Sequence, residues 1–368
     1  MSGPASVAVL GSGVVALSAA IAFRRALPAA RITLVERPTD PRSLLDRIGA
    51  ATLAIDAFHR AIGLDQQLFI RRTGAVGIYR TMLDGVRLGA PGAIPHVEGV
   101  ALHQLWLRSL AERPDATPDW AMLTAPGAEP FGVRFDMAAY RALLAEMAAA
   151  LGIVRGEAED GALLLDCTAP GQEWIDASAH LPSVVAEPIA PGGAEGETIV
   201  TTGDTVEWCT PPWSWKLARG GGLPPGRHPA PRAGRRIALG EAALVAESFD
   251  GHALSAAHAD ILRAIEFMPH AEPSAREAAE VNRRTAIAHQ RMIDWATERW
   301  SGTPTDDLAT LRRGFAARGR MPYRDWDPVT PGEWIGWWFA RGVRPDRVDP
   351  SARAVPQDQL IRILERTR

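Results

Sequence analysis

The segment that most constrains this chain is Gly11-Ser12-Gly13-Val14-Val15-Ala16, which fits the pattern G-x-G-x-x-G/A. It stands between an apolar run, Val7–Leu10, that reads as a buried strand and a run, Val14–Leu27, that reads as a helix. Arg31–Val35 then reads as a second strand. Each residue type suits that geometry. Gly11 permits the sharp turn out of the strand, Gly13 lets a pyrophosphate approach the backbone, and Ala16 lets the helix pack close on the strand. The helix N-terminus turns free N–H groups and the positive end of its dipole toward an anion. Glu36 ends the second strand, where a carboxylate accepts the ribose hydroxyls. The first forty residues are therefore expected to hold the ADP half of a dinucleotide.

Composition narrows the class. With 46% hydrophobic and 23% charged residues, the chain has the make-up of a globular protein with a sizeable core. A net charge of −3 with interspersed signs gives no electrostatic footprint for nucleic acid. The cysteines, Cys167 and Cys209, sit in no CxxC or Cys/His cluster, so neither a metal site nor a disulfide framework is expected, and a cytoplasmic location is. The apolar stretch Val7–Phe23 lacks a basic flank, is interrupted by Gly-Ser-Gly and is short for a membrane span. No membrane association is expected. Lys216 is the only lysine in the sequence, so lysine chemistry has one side-chain candidate.

Further along, Leu53–Ile62 reads as a helix closed by Gly63, and Asp136–Leu151 as a helix capped by Asp136 and ended by Gly152. Ala162–Leu165 reads as a buried strand leading to Asp166-Cys167-Thr168, and Thr198–Cys209 as a hairpin turning at Gly203-Asp204. Gly220–Arg235, rich in Gly, Pro and Arg, reads as a flexible run before a strand, Arg236–Leu239. From Ser255 to Trp300 the pattern is helical, with a break near Pro269–Pro273. The expected fold is α/β: an FAD/NAD(P)-binding Rossmann-type fold of the aromatic-monooxygenase kind, with an inserted β-containing substrate lobe and a helical C-terminal part. The expected partition gives 1–75, 125–175 and 233–268 to the nucleotide domain, 76–124 and 176–232 to the substrate lobe, and 269–368 to the helical part.

FAD is favoured over NAD. A second glycine-bearing strand end, Gly240-Glu241-Ala242-Ala243, suits the ribityl and pyrophosphate of a flavin, and no second strand-bounded G-x-G-x-x-G exists for a nicotinamide cofactor.

Several segments together resemble the flavin-dependent tryptophan halogenase family. Trp213-Ser214-Trp215-Lys216-Leu217 resembles its W-x-W-x-I-P motif, with Ala218 in place of the proline. Arg134-Phe135-Asp136 with the helix to Gly152, Leu164–Thr168, Gly240–Asp250, Asn282-Arg283-Arg284 and Trp334–Pro345 resemble further segments of that family. The resemblance implies that reduced FAD, supplied by a separate flavin reductase, and oxygen convert chloride or bromide to an electrophilic halogen. A lysine and a glutamate then direct it to a small aromatic substrate. The family lysine matches Ala75, its glutamate matches Asp250, and its halide-contacting Ser-Thr-Gly matches Gly251-His252-Ala253. The G-E-x-T loop beside the flavin reads Gly49-Ala50-Ala51-Thr52, which makes Ala51 a cofactor contact, and Glu241 replaces an aspartate.

Each candidate residue also has a plainer reading. Lys216 is a relocated catalytic lysine or a solvated one. Asp250 and His252 do acid/base work, or cap a helix. Trp213 and Trp215 line the substrate side of the flavin or pack a core. His103, beside Trp106, reads as structural, and the tryptophan-rich stretch Trp326–Trp338 lines an aromatic pocket or packs elements together. Three functions follow: a halogenase-like oxidoreductase on an indole or other electron-rich aromatic, a flavin monooxygenase without halide chemistry, or a non-catalytic flavin- or ligand-binding relative. A monomer or a homodimer suits all three.

Overall fold

The structure is a computed structural model that describes residues 4–88, 96–97, 99–112, 130–190, 196–268, 274–322, 324 and 327–366. Trp326 and the break at Pro269–Pro273 lie outside the described residues.

The strand Ser6–Leu10 pairs in parallel with Arg31–Val35 on one side and Leu163–Asp166 on the other. Val154–Arg155 extends this sheet beyond Arg31–Val35, and Arg236–Ala238 extends it beyond Leu163–Asp166, again in parallel. Arg232–Ala233 closes the edge antiparallel to Arg236–Ala238. Val7, Ala8 and Val9 are buried without alternation, as a parallel strand covered on both faces requires. The helix Val14–Ala26 buries every residue from Val14 to Phe23. It packs against the helices Met137–Ala150 and His252–Glu266, which explains why the apolar run that resembles a membrane segment is core. Among the described residues, no helix is long and apolar enough to cross a membrane.

The caps anticipated from sequence form. Asp136 accepts from the N–H of Ala139 at 2.9 Å, and Gly63 closes the Ala54–Ile62 helix in a left-handed conformation. The Gly220–Arg235 run departs from the flexible reading. Arg232 is 2% exposed, Leu223 and His228 are buried, and short strands form at Gly226–Arg227 and Arg232–Ala233. Glycine and proline here mark an irregular path, not a loose one, because the backbone finds specific partners: Arg232 N donates to Asn282 Oδ1 at 2.8 Å and Ala238 N to Pro231 O at 2.7 Å.

The chain divides into two compact units, residues 1–77, 132–187 and 217–303 in the first and 78–131, 188–216 and 304–368 in the second. The first contains the parallel sheet and its helices. The second contains the hairpin Glu197–Thr202/Thr205–Thr210, whose first strand pairs with Thr81–Leu83 and thereby with Val86–Leu88. Its buried carboxylate, Glu197, is fully engaged, accepting from Thr81 Oγ1 (2.7 Å), Trp208 Nε1 (2.9 Å) and Thr210 Oγ1 (3.0 Å). Helices Leu102–Glu112, Asp306–Arg318, Pro331–Ala340 and Gln357–Arg366 complete this unit. Trp334 and Trp338 are fully buried and Phe315 lies against Trp338, so this part of the tryptophan-rich stretch is packing. His103 is structural as well, with Nε2 2.8 Å from Gly319 O.

Candidate active site

The glycine turn forms a small polar cleft in the first unit. Its floor is Gly11, Ser12, Gly13 and Val15, and its walls are Arg37–Asp40, Asp46, Cys167, Thr168 and Glu241. Gly11 has φ +131°, a conformation that favours glycine, and an added Cβ would lie 3.1 Å from Ala16 Cβ and from Cys167 O. Its N–H donates to Val35 O, tying the turn to the second strand. Ser12 Oγ donates to Arg37 O at 2.8 Å.

The slot above Gly13 is taken by a side chain of this protein. Asp46 Oδ1 accepts the N–H of Val14 at 2.6 Å, and a Cβ on Gly13 would fall 2.2 Å from Asp46 Oδ2. The helix N-terminus thus faces a carboxylate where the motif prepares a place for phosphate. Burial raises the Asp46 carboxyl above the usual range, opposed by the Val14 N–H. That an internal anion sits in this cradle shows that its donors and its missing Cβ fit an anionic group. The donors that Asp46 engages are of the kind that a pyrophosphate requires.

A second, more apolar pocket adjoins the cleft and shares Leu45 and Glu241 with it. Leu44, Val184, Leu223, Leu244 and Ala257 are among its walls, with Glu247 and Asp260 as further acids. Glu241 joins the two spaces. Its Oε1 accepts from the N–H of Leu44 at 3.1 Å and of Leu45 at 3.4 Å, so it fastens the segment that carries Asp46. Burial pushes the Glu241 carboxyl up to about 7, with the nearby Asp46 charge adding to the rise. A polar end lined by backbone donors and an apolar end beside it suit the phosphates and the flat ring system of FAD in chemical character.

Glu36 lies at the end of Arg31–Val35, exposed, with Oε1 2.6 Å from Arg155 Nη1. Ala51 is fully buried in the strand Ala50–Thr52. Gly251 approaches that strand so closely that an added Cβ would lie 2.5 Å from Ala51 N, and its φ of +96° starts the His252–Glu266 helix.

Asp250 and His252 come together, as the sequence spacing anticipates, but in a filled network. Asp250 Oδ1 accepts from Ser248 Oγ (2.6 Å) and His252 N (3.0 Å), and Oδ2 accepts from Trp295 Nε1 (2.6 Å). His252 Nδ1 is 2.9 Å and Arg299 Nε 3.7 Å from the same carboxylate. Burial opposes ionisation of Asp250, yet His252, Arg299 and Ser248 outweigh it and hold the carboxyl well below the usual range. Glu247, which the sequence reading missed, behaves in the opposite way: burial and then the Asp250 charge push it up to about 7. Its place three residues before Asp250, in a segment already singled out, is the signal that points to it.

Ala75 follows the left-handed Gly74 that ends the Gln66–Thr73 helix, and packs partly buried against the core of the first unit. Lys216 lies on the strand Trp213–Arg219, partly buried like Trp213 and Trp215, while Ser214 between the tryptophans is buried. Lys216 and both tryptophans belong to the second unit, and Ala75, Asp250 and His252 to the first.

Glycine cradle, parallel sheet and apolar extension define an FAD-binding Rossmann-type fold, and it is the fold of the flavin-dependent halogenases. The chain aligns over 99% of its length with 95% of BrvH, a flavin-dependent halogenase from Brevundimonas sp. BAL3, at 18% identity and a TM-score of 0.81. It aligns over 99% with 94% of a flavin-dependent halogenase from Xanthomonas campestris, at 17% identity and a TM-score of 0.84. A tryptophan 6-halogenase, SttH from Streptomyces toxytricini, gives 13% identity and a TM-score of 0.80 over 99% of this chain and 96% of its own. No curated protein matches the sequence. Residues 6–165 match the tryptophan halogenase family model, the family that the motifs resemble.

Proposed function

We propose that the protein is a flavin-dependent halogenase-type oxidoreductase that uses reduced FAD and O2 on an indole or another electron-rich aromatic. The observation that carries this reading is the continuity of the glycine-lined cleft with the apolar pocket through Leu45 and Glu241. The backbone of Gly11–Ala16 would hold the pyrophosphate, Glu36 the ribose, and Ala51, Gly240 and Glu241 the ribityl and ring portion. When bound and reduced, FAD would supply the two electrons that activate O2, and the activated oxygen would be the oxidant of chloride or bromide.

This chain's own groups then orient substrate and handle protons. Glu247, with a carboxyl that titrates near 7, gives the apolar pocket a group that both holds and releases a proton at neutral pH. Asp250, held ionised by its network, fixes the turn into the His252–Glu266 helix. Lys216 is the one side-chain amine available for the directing role that Ala75 cannot fill.

Purified protein supplied with a flavin reductase, FAD, O2, bromide and a panel of indoles tests the proposal by product mass. Brominated product is expected, and its loss in Lys216→Ala would place the amine in the reaction. Oxygenated product independent of bromide would establish the monooxygenase reading instead. Absence of any product from a flavin-loaded protein would leave a non-catalytic binder.

A further inference from the structure

Behind the glycine turn, a chain of polar side chains crosses the helical layer of the first unit. Ser18 lies one turn beyond Val14 on the Val14–Ala26 helix, and its hydroxyl bonds to that of Tyr140 on the Met137–Ala150 helix. Ser18 Oγ is also 3.4 Å from His258 Nε2, on the His252–Glu266 helix. Tyr140 Oη is 3.0 Å from His59 Nε2, on the Ala54–Ile62 helix, and His59 Nδ1 is 3.2 Å from Gln66 Oε1. Ser18, His59, Tyr140 and His258 are all buried. Phe58 stacks on His258 with ring centroids 3.8 Å apart, and Phe69 meets His59 edge-on.

A hydroxyl and a neutral imidazole each hold one proton, so the protons of such a chain point one way. Both ends select the same direction. Gln66 Oε1 only accepts, so His59 carries its proton on Nδ1, and its Nε2 accepts from Tyr140. Tyr140 then accepts from Ser18, and Ser18 from His258 Nε2. The reverse order would move the His258 proton to Nδ1, which is buried without a partner among the described residues, and would strand a donor there.

We propose that Gln66, His59, Tyr140, Ser18 and His258 form one directional hydrogen-bond latch that holds the helix of the glycine cradle to its neighbours and opens when either imidazole is protonated. A second proton makes both ring nitrogens donors. On His59 the new Nε2–H would face the Tyr140 hydroxyl proton, and on His258 the new Nδ1–H would face no acceptor. Among the described residues, no carboxylate or guanidinium acts on either ring, and the charge that bears on His258 is that of His59. Burial accordingly lowers His59 from 6.5 to about 4 and holds His258 well below 6.5. Because the folded values are depressed, the latch contributes fully above 6.5 and is lost as pH falls toward about 4. The latch needs no flavin.

Long-range 1H–15N NMR of the full chain at neutral pH reads both tautomers. Nδ1–H is expected at His59 and Nε2–H at His258. Tyr140→Phe cuts the chain without touching His258. It is expected to release His258 into a mixture of tautomers and to speed amide exchange over Val15–Phe23 by about tenfold or more. On acidification, protonation of the imidazoles is expected to coincide with loss of exchange protection in that helix. The opposite tautomer at either ring overturns the proposal. So does a His258 tautomer unchanged in Tyr140→Phe, or a protonated imidazole beside a helix that stays protected. If Tyr140→Phe does not fold, the wild-type tautomers and the acid titration decide.

Discussion

Asp46 Oδ1 accepts a 2.6 Å hydrogen bond from the backbone N–H of Val14, the first residue of the helix that the glycine turn launches. A carboxylate and a pyrophosphate cannot share that N-terminus, because both compete for the same donors and repel each other. Asp46→Asn keeps an acceptor and removes the charge. FAD affinity is therefore expected to rise roughly threefold to tenfold, read by fluorescence titration. Asp46→Ala should bind FAD at least as well as wild type while losing about 1 kcal/mol of stability with the cap. Weaker FAD binding in both variants would show that Asp46 is a ligand and not a competitor.

Gly13→Ala isolates the same slot sterically. The backbone at Gly13 has φ −80°, which alanine adopts readily, so its cost comes from the 2.2 Å approach to Asp46. A loss of about 1–3 kcal/mol in urea unfolding is expected, most of it recovered when Asp46 is also alanine. FAD binding should not recover in the double variant, since the added methyl still blocks the pyrophosphate.

Glu247 gives the protein a pH dependence of known sign. Its folded carboxyl titrates at about 7 against 4.5 unfolded, so the folded state holds an extra proton between those values. The associated stability is intact below 4.5 and is lost as pH rises toward 7. Glu241 has the same sign but is present in both proteins of a Glu247→Gln comparison. The variant is thus expected to gain on wild type by on the order of 2–3 kcal/mol between about pH 5 and about pH 8. A difference that does not change with pH would mean that Glu247 titrates normally.

Gly251 is the tightest backbone contact at the start of the His252–Glu266 helix. With φ +96° and an added Cβ 2.5 Å from Ala51 N, Gly251→Ala should cost about 2–4 kcal/mol in denaturant unfolding. It should also weaken FAD binding by displacing the strand Ala50–Thr52.

The parts of this fold legible in the sequence are those in which local pattern and global role coincide. The strand Arg31–Val35, the glycine turn, the Asp136 cap and the Gly203-Asp204 hairpin each carry their signal within a few residues. Asp46 was not legible, since its partner Val14 lies 32 residues away, beyond a helix and a strand, and the loop that carries Asp46 has an ordinary mix of Pro, Arg and Ser. The same holds for Arg232, whose Gly- and Pro-rich surroundings suggest solvent while Asn282 and Phe267 bury it. Asp250 and His252 were recognisable as a pair. That Trp295 and Arg299 fill the space around them depends on a helix 45 residues further on.

The central claim, that the glycine cradle and the adjoining pocket hold FAD, is tested most directly by equilibrium titration of the purified chain with oxidised and with reduced FAD under anaerobic conditions. Saturable binding at one FAD per chain in the wild type, lost in Gly13→Ala, is the expected result. No saturable binding of either redox form, or binding that Gly13→Ala leaves unchanged, would contradict it.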